Sequence, residues 1–242
     1  CACCVLWEEN YGDVGAGEAA KWRRAGRQVL GDARVLLCCC ASATFESAMY
    51  VFVFLWTPEL AAGGELPPEG LVFSAFMVAV MAGSRLARLG TDGAPEGEGR
   101  GARRFAANAL VAAVALAVPA ACPGSPRRTL VAFLAFEVCV GTYYPTMAAL
   151  KSTFVSEDAR ASVYSIYRVP LNAAVVAVLL ADAPRRTQWC VAVGLLAASA
   201  LAGLGLARCG PPPDPGALEA RLTDDGRYLA INDDDGGEAV SS

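Results

Sequence analysis

Histidine is absent from all 242 residues of this chain. Its absence removes the side chain most used for proton transfer near neutral pH and a common zinc ligand. Charge is scarce too, with 18% of residues Asp, Glu, Lys or Arg, against about a quarter in an ordinary soluble domain. No serine occupies a nucleophile elbow. Gly97, Gly99 and Gly101 have no strand before them and no lysine after them, so they do not form a phosphate-binding loop. No basic groove with interleaved aromatics is present, which argues against nucleic-acid binding. Nothing here marks an enzyme, and nothing calls for a metal or a cofactor. The sequence does not begin with Met, and the stretch before the first span shows no basic n-region with an apolar h-region and cleavage site, which is uninformative in a fragment. It opens on Cys1-Ala2-Cys3-Cys4-Val5-Leu6-Trp7, which reads as the last turns of a preceding membrane helix, so a fragment is expected.

What the chain does have is hydrophobicity in long blocks. Apolar residues make up 55% of it, and the mean hydropathy is +0.40. The charges collect between the apolar runs. Spans at 35–56, 70–87, 105–121, 129–150, 162–181 and 189–207 each approach the roughly 20 residues that cross a bilayer core. The fold class expected is therefore an all-α membrane protein of six transmembrane helices. Gly63-Gly64 with Pro67-Pro68, the glycine-rich stretch 90–101, and Pro123-Gly124 with Pro126 punctuate the runs. Three domains follow: 1–34, the end of a preceding helix and a cytoplasmic central loop; 35–207, the bundle; and 208–242, an acidic tail too polar to fold.

Basic residues orient the bundle. Lys21, Arg23, Arg24, Arg27 and Arg34 precede the first span, and Arg85, Arg88, Arg100, Arg103 and Arg104 join the second to the third. Lys151 and Arg160 fall on the same side, as do Arg208, Arg221 and Arg227, whereas the opposite loops carry only Arg127, Arg128, Arg185 and Arg186. Both ends are expected in the cytoplasm. The 10 cysteines read mainly as small buried hydrophobes, with palmitoylation the alternative at Cys38–Cys40 and Cys1–Cys4. Small residues recur every fourth position in Ala75, Ala79, Gly83, in Ala109, Ala113, Ala117 and in Gly194, Ala198, Ala202, a pattern that lets helices approach closely. Tyr50, Trp56 and Trp189 are assigned to interfacial belts or the core.

Three ionisable residues interrupt the spans: Glu46, Glu137 and Arg168. Each costs about 2.5–3.5 kcal/mol to insert, and such residues usually face a bundle interior or a wet cavity. They are the candidates for a substrate or coupling-ion path. The competing readings are a buried ion pair that only locks the bundle, or an arginine that snorkels to the interface. Pro145 follows Glu137 by two turns and Pro170 follows Arg168 by two residues; both are candidate kinks.

Phe45-Glu46-Ser47 with Phe52-Val53-Phe54-Leu55-Trp56-Thr57-Pro58 resembles the seventh helix of the molybdate-anion transporters of the major facilitator superfamily. Phe73-Ser74-Ala75-Phe76-Met77 with Gly83-Ser84 is similar to their eighth, and Glu137 with Gly141-Thr142-Tyr143-Tyr144-Pro145-Thr146-Met147 to their tenth. Arg168-Val169-Pro170-Leu171 looks like the start of the eleventh, and Trp7-Glu8-Glu9-Asn10-Tyr11 like the central loop. The superfamily's basic loop motif belongs after the second helix, outside this stretch, and its counterpart after Gly83 lacks the acidic partner. The resemblance implies the C-terminal half of a twelve-helix secondary transporter of the cell membrane. Its implied partners are molybdate or another small anion, the lipid bilayer and a missing N-terminal six-helix half. Arg168 would then face the anion, and Glu46 and Glu137 would carry protons or position an arginine. A different solute, or a membrane scaffold or sensor that moves nothing, remains the alternative.

Overall fold

The computed structural model describes residues 26, 29–62, 68–89, 99–122, 124–155, 157–181 and 183–209. The chain divides into two units after Gly210. The expected acidic tail from 210 onward and most of the segment before 33 lie outside the described residues. Among the described residues from 33 to 208, six long helices follow one another: α1 (Ala33–Ala61), α2 (Glu69–Leu89), α3 (Arg100–Ala121), α4 (Pro126–Phe154), α5 (Glu157–Leu180) and α6 (Arg185–Arg208). Each contains most or all of one expected span, and there is no strand among the described residues. With no water in a bilayer core, such helices satisfy their backbone groups within one segment.

Local chemistry sets the ends. Asp32 caps α1, accepting from the Arg34 amide at 2.9 Å. Pro126 opens α4 after Ser125, where its missing N–H costs nothing. Gly99, at φ 70°, takes the left-handed turn into α3. The third and sixth spans, 105–121 and 189–207, become helices of 22 and 24 residues, because their flanking arginines are helical as well. Among the described residues, five helices are long and apolar enough to cross a membrane, and the described side chains of α5 add an apolar stretch over Val163–Val178.

Three pairs of helices meet end to start. Arg104 donates to the Ala87 carbonyl at 3.1 Å, placing the end of α2 at the start of α3. Gly99 abuts Ala207, so α3 begins where α6 ends. Arg185 donates to the Pro58 carbonyl at 2.6 Å, so α6 begins where α1 ends. The helix α1 packs on α4, α5 and α6; α3 packs on α4 and α6; α2 packs on α4. Aromatic rings fill the centre. Phe45 stacks on Tyr143 with centroids 4.3 Å apart, and Phe52 meets Phe76, Phe133 and Phe136. Trp189 belongs to this core, fully buried, with its indole N–H donating to Glu59 at 3.0 Å. A smaller apolar cluster joins α1 to α5 through Val35, Cys39, Val163, Tyr167 and Leu171.

Two expectations change. The stripe Ala79–Gly83 and the pair Ala109–Ala113 are buried as anticipated, but Gly194 and Ala198 face outward. The helix α6 packs instead through Ala192, Leu196, Ser199 and Gly203, a parallel stripe of the same period, and only the neighbours decide which stripe is used. Lys151, assigned above to a cytoplasmic loop, lies inside α4 and is buried, because α4 continues past the apolar run to Phe154. Of the consecutive cysteines, Cys38 and Cys39 are buried and Cys40 is exposed.

Candidate functional site

Three helical faces line an open cavity of about 440 Å³. From α1 come Glu46, Met49, Tyr50 and Val53; from α4, Tyr144 and Lys151; from α5, Tyr164, Tyr167 and Arg168. Each set repeats at three, four or seven residues, which puts it on one side of its helix. Elsewhere the same helices bury apolar side chains.

Glu46 and Lys151 meet on the wall at 3.5 Å. The Glu46 carboxylate is also held by hydroxyls: Tyr143 donates to its Oε1 at 2.6 Å, Ser42 at 3.0 Å and Tyr167 at 3.4 Å. The shortest contact of the Lys151 ammonium is to the Tyr167 hydroxyl at 2.8 Å. It also lies over the Tyr164 and Tyr167 rings, 4.8 and 4.6 Å from their centroids, where the negative ring faces attract a cation. Arg168 is exposed on the cavity wall, and among the described residues it has no carboxylate within ion-pair range. Among the described residues, the wall therefore has one ion pair, Glu46–Lys151, and one cation without a carboxylate partner.

The three candidates from sequence separate. Glu46 and Arg168 share the cavity. Glu137 lies on the same face of α4 as Tyr144 and Lys151, at seven-residue spacing, but farther along the helix, buried and outside the lining. Tyr50 lines the cavity and does not act solely as a belt residue. Lys151, Tyr144, Tyr164 and Tyr167 were not anticipated. The spacing 46-49-50-53 on α1 and 164-167-168 on α5 was the available signal, and for Lys151 the seven-residue step from Tyr144.

The prolines occupy different settings. Pro145 sits inside an unbroken α4 and leaves the Gly141 carbonyl without its usual donor. The Ser84 hydroxyl of α2 supplies one at 3.1 Å, while the Thr142 hydroxyl donates back to the Gly83 carbonyl at 3.2 Å. Pro170 lies inside α5, exposed, two residues beyond Arg168.

Residues 2–141 match the profile of a major facilitator family described as sugar transporters with 12 transmembrane segments. The molybdate-anion transporter of Danio rerio is 41% identical over 155 residues, which is 60% of this chain and 30% of that protein. The molybdate-anion transporter of Xenopus tropicalis is 35% identical over 172 residues, 69% of this chain and 36% of that protein. That of Takifugu rubripes is 37% identical over 158 residues, 60% of this chain and 30% of that protein. The chain thus spans about a third of the length of the curated relatives it matches. No solved structure matches it.

Proposed function

The chain belongs to the major facilitator superfamily of multi-pass membrane transporters, and from that premise we propose that it is one six-helix half of a high-affinity, alternating-access molybdate carrier of the cell membrane. The observation that carries this reading is Arg168, without an ion pair among the described residues, on the wall of a cavity lined by α1, α4 and α5. A tetrahedral oxyanion stripped of water needs its charge matched, and a guanidinium can donate two parallel hydrogen bonds to its oxygens. Tyrosine hydroxyls around the cavity add neutral donors. In this family the substrate site lies between two six-helix halves, so a second half supplies the opposing wall.

Glu46 takes the role of positioning a cation, here the lysine of α4 and not an arginine. Glu137, away from the cavity, is assigned to proton movement along α4, with Pro145 and Pro170 as the points where α4 and α5 bend during access change. The topology that accompanies this reading has both chain ends in the cytoplasm.

The family description favours a second reading, a sugar, whose ring would stack on Tyr164 or Tyr144. The Arg168 guanidinium on the wall meets no charge in a neutral sugar. Molybdate uptake by the full-length protein, with sulfate as competitor, tests the choice. Saturable molybdate uptake is expected; uptake of a sugar alone, or of neither solute, overturns it. A scaffold that moves nothing would tolerate Arg168→Ala as long as the bundle folds, whereas a carrier would lose transport.

A further inference from the structure

We propose that Lys151 is a second cation of the anion site and sets its preference for doubly charged over singly charged tetrahedral anions. This rests on the anion reading above and adds a residue and a selectivity to it. Lys151 lines the same cavity as Arg168. Its tether to Glu46 is the longest of the contacts that carboxylate makes, 3.5 Å against 2.6 Å from Tyr143 and 3.0 Å from Ser42. Three hydroxyls therefore continue to satisfy Glu46 when the ammonium turns toward the cavity. The Tyr164 and Tyr167 rings hold the ammonium at the wall throughout. Side chains of Lys usually lean toward the N-terminus of their own helix, and for Lys151 that direction leads toward Tyr144, another residue of the lining.

The charges facing the anion come from every wall: Glu46 from α1, Lys151 from α4 and Arg168 from α5, with the hydroxyls of Tyr50, Tyr144, Tyr164 and Tyr167 among them. Arg168 alone matches one negative charge. A dianion draws the ammonium off Glu46 and is met by both cations, whereas a monoanion gains little from the second. Selectivity then follows from a difference of affinities between two anions of the same shape.

The experiment compares molybdate with perrhenate, tetrahedral anions of nearly equal size and different charge. Uptake of each is measured in cells expressing the full-length protein and normalised to surface abundance. Lys151→Gln, which keeps a hydrogen-bonding group for Tyr167, is expected to lower the molybdate-over-perrhenate preference by about tenfold or more, the scale of one charge contact in a partly wet cavity. Lys151→Arg should retain most of the preference. If Lys151→Gln leaves too little folded protein, Glu46→Gln with Lys151→Gln removes both charges of the pair at once and should show the same loss. Robust molybdate uptake with an unchanged preference in the neutral variants overturns this inference and leaves the anion reading standing. Failure of the wild type to move either anion overturns the anion reading itself, and this inference with it.

Discussion

Gly83 of α2 and Gly141 of α4 meet backbone to backbone: a Cβ on Gly83 would strike the Val138 carbonyl, and one on Gly141 the Val80 carbonyl. Around them Ser84 donates to the Gly141 carbonyl and Thr142 to the Gly83 carbonyl. The two helices are joined by close approach and by reciprocal hydrogen bonds, one of which fills the gap left by Pro145. Because α2 packs chiefly on α4, this contact fixes the position of α2. Gly83→Ala or Gly141→Ala is expected to cost roughly 1–3 kcal/mol, the usual scale of overpacking. Gly194→Ala should be neutral, since nothing lies within 4 Å of the added atom. Thermal melts in one detergent compare the three; equal loss in all would contradict the contact.

The Glu46–Lys151 pair makes a prediction about coupling. Breaking a fully buried pair from one side costs about 3–5 kcal/mol, and here the cost should be smaller because both side chains border the cavity, 19% and 11% exposed. Lys151→Met alone and Glu46→Gln alone should each destabilise the bundle. The double variant should recover part of the sum, as groups in one network do. Strict additivity in a double-mutant cycle would show that the two do not interact.

Arg168 makes no ion pair among the described residues and is exposed on the cavity wall, so Arg168→Lys should leave stability and surface abundance unchanged. Molybdate uptake per surface molecule should still fall by about tenfold or more, because an ammonium cannot offer the parallel donors of a guanidinium. Normal uptake in the Lys variant would remove Arg168 from the substrate site.

Cys122 and Cys209 close α3 and α6, both exposed and at opposite ends of the bundle. With the other cysteines replaced, a membrane-impermeant thiol reagent added to intact cells should label Cys122 and spare Cys209. The reverse pattern would invert the proposed topology.

Asp32, just outside α1, is held below the ordinary carboxylate range, chiefly by the side-chain hydrogen bond from Arg34 and against a smaller desolvation cost. A depressed folded value means that the ionised cap adds stability above the unfolded value, near 3.9, and loses it as pH falls through the folded one. Asp32→Ala should therefore cost about 1 kcal/mol at neutral pH, and the gap should narrow below about pH 4. Melting curves of both proteins at several pH values measure it. A gap that widened on acidification would reverse the sign.

The sequence by itself determined the six helices and their approximate bounds, because hydropathy and breakers are local properties and a bilayer imposes length directly. It also singled out Glu46 and Arg168, since a charge inside an apolar run stands out without knowledge of neighbours. Small-residue spacing was legible as a pattern, but not which stripe would be used: Gly83 found a partner backbone and Gly194 faced outward. Lys151 was misassigned for the same reason, being read from the edge of an apolar run when its surroundings are set by Glu46, 105 residues earlier in the chain, and by the tyrosines of α5. Where a side chain ends up depends on contacts between helices distant in sequence. Only the tertiary structure could bring Glu46, Lys151 and Arg168 onto one cavity and leave Glu137 outside it.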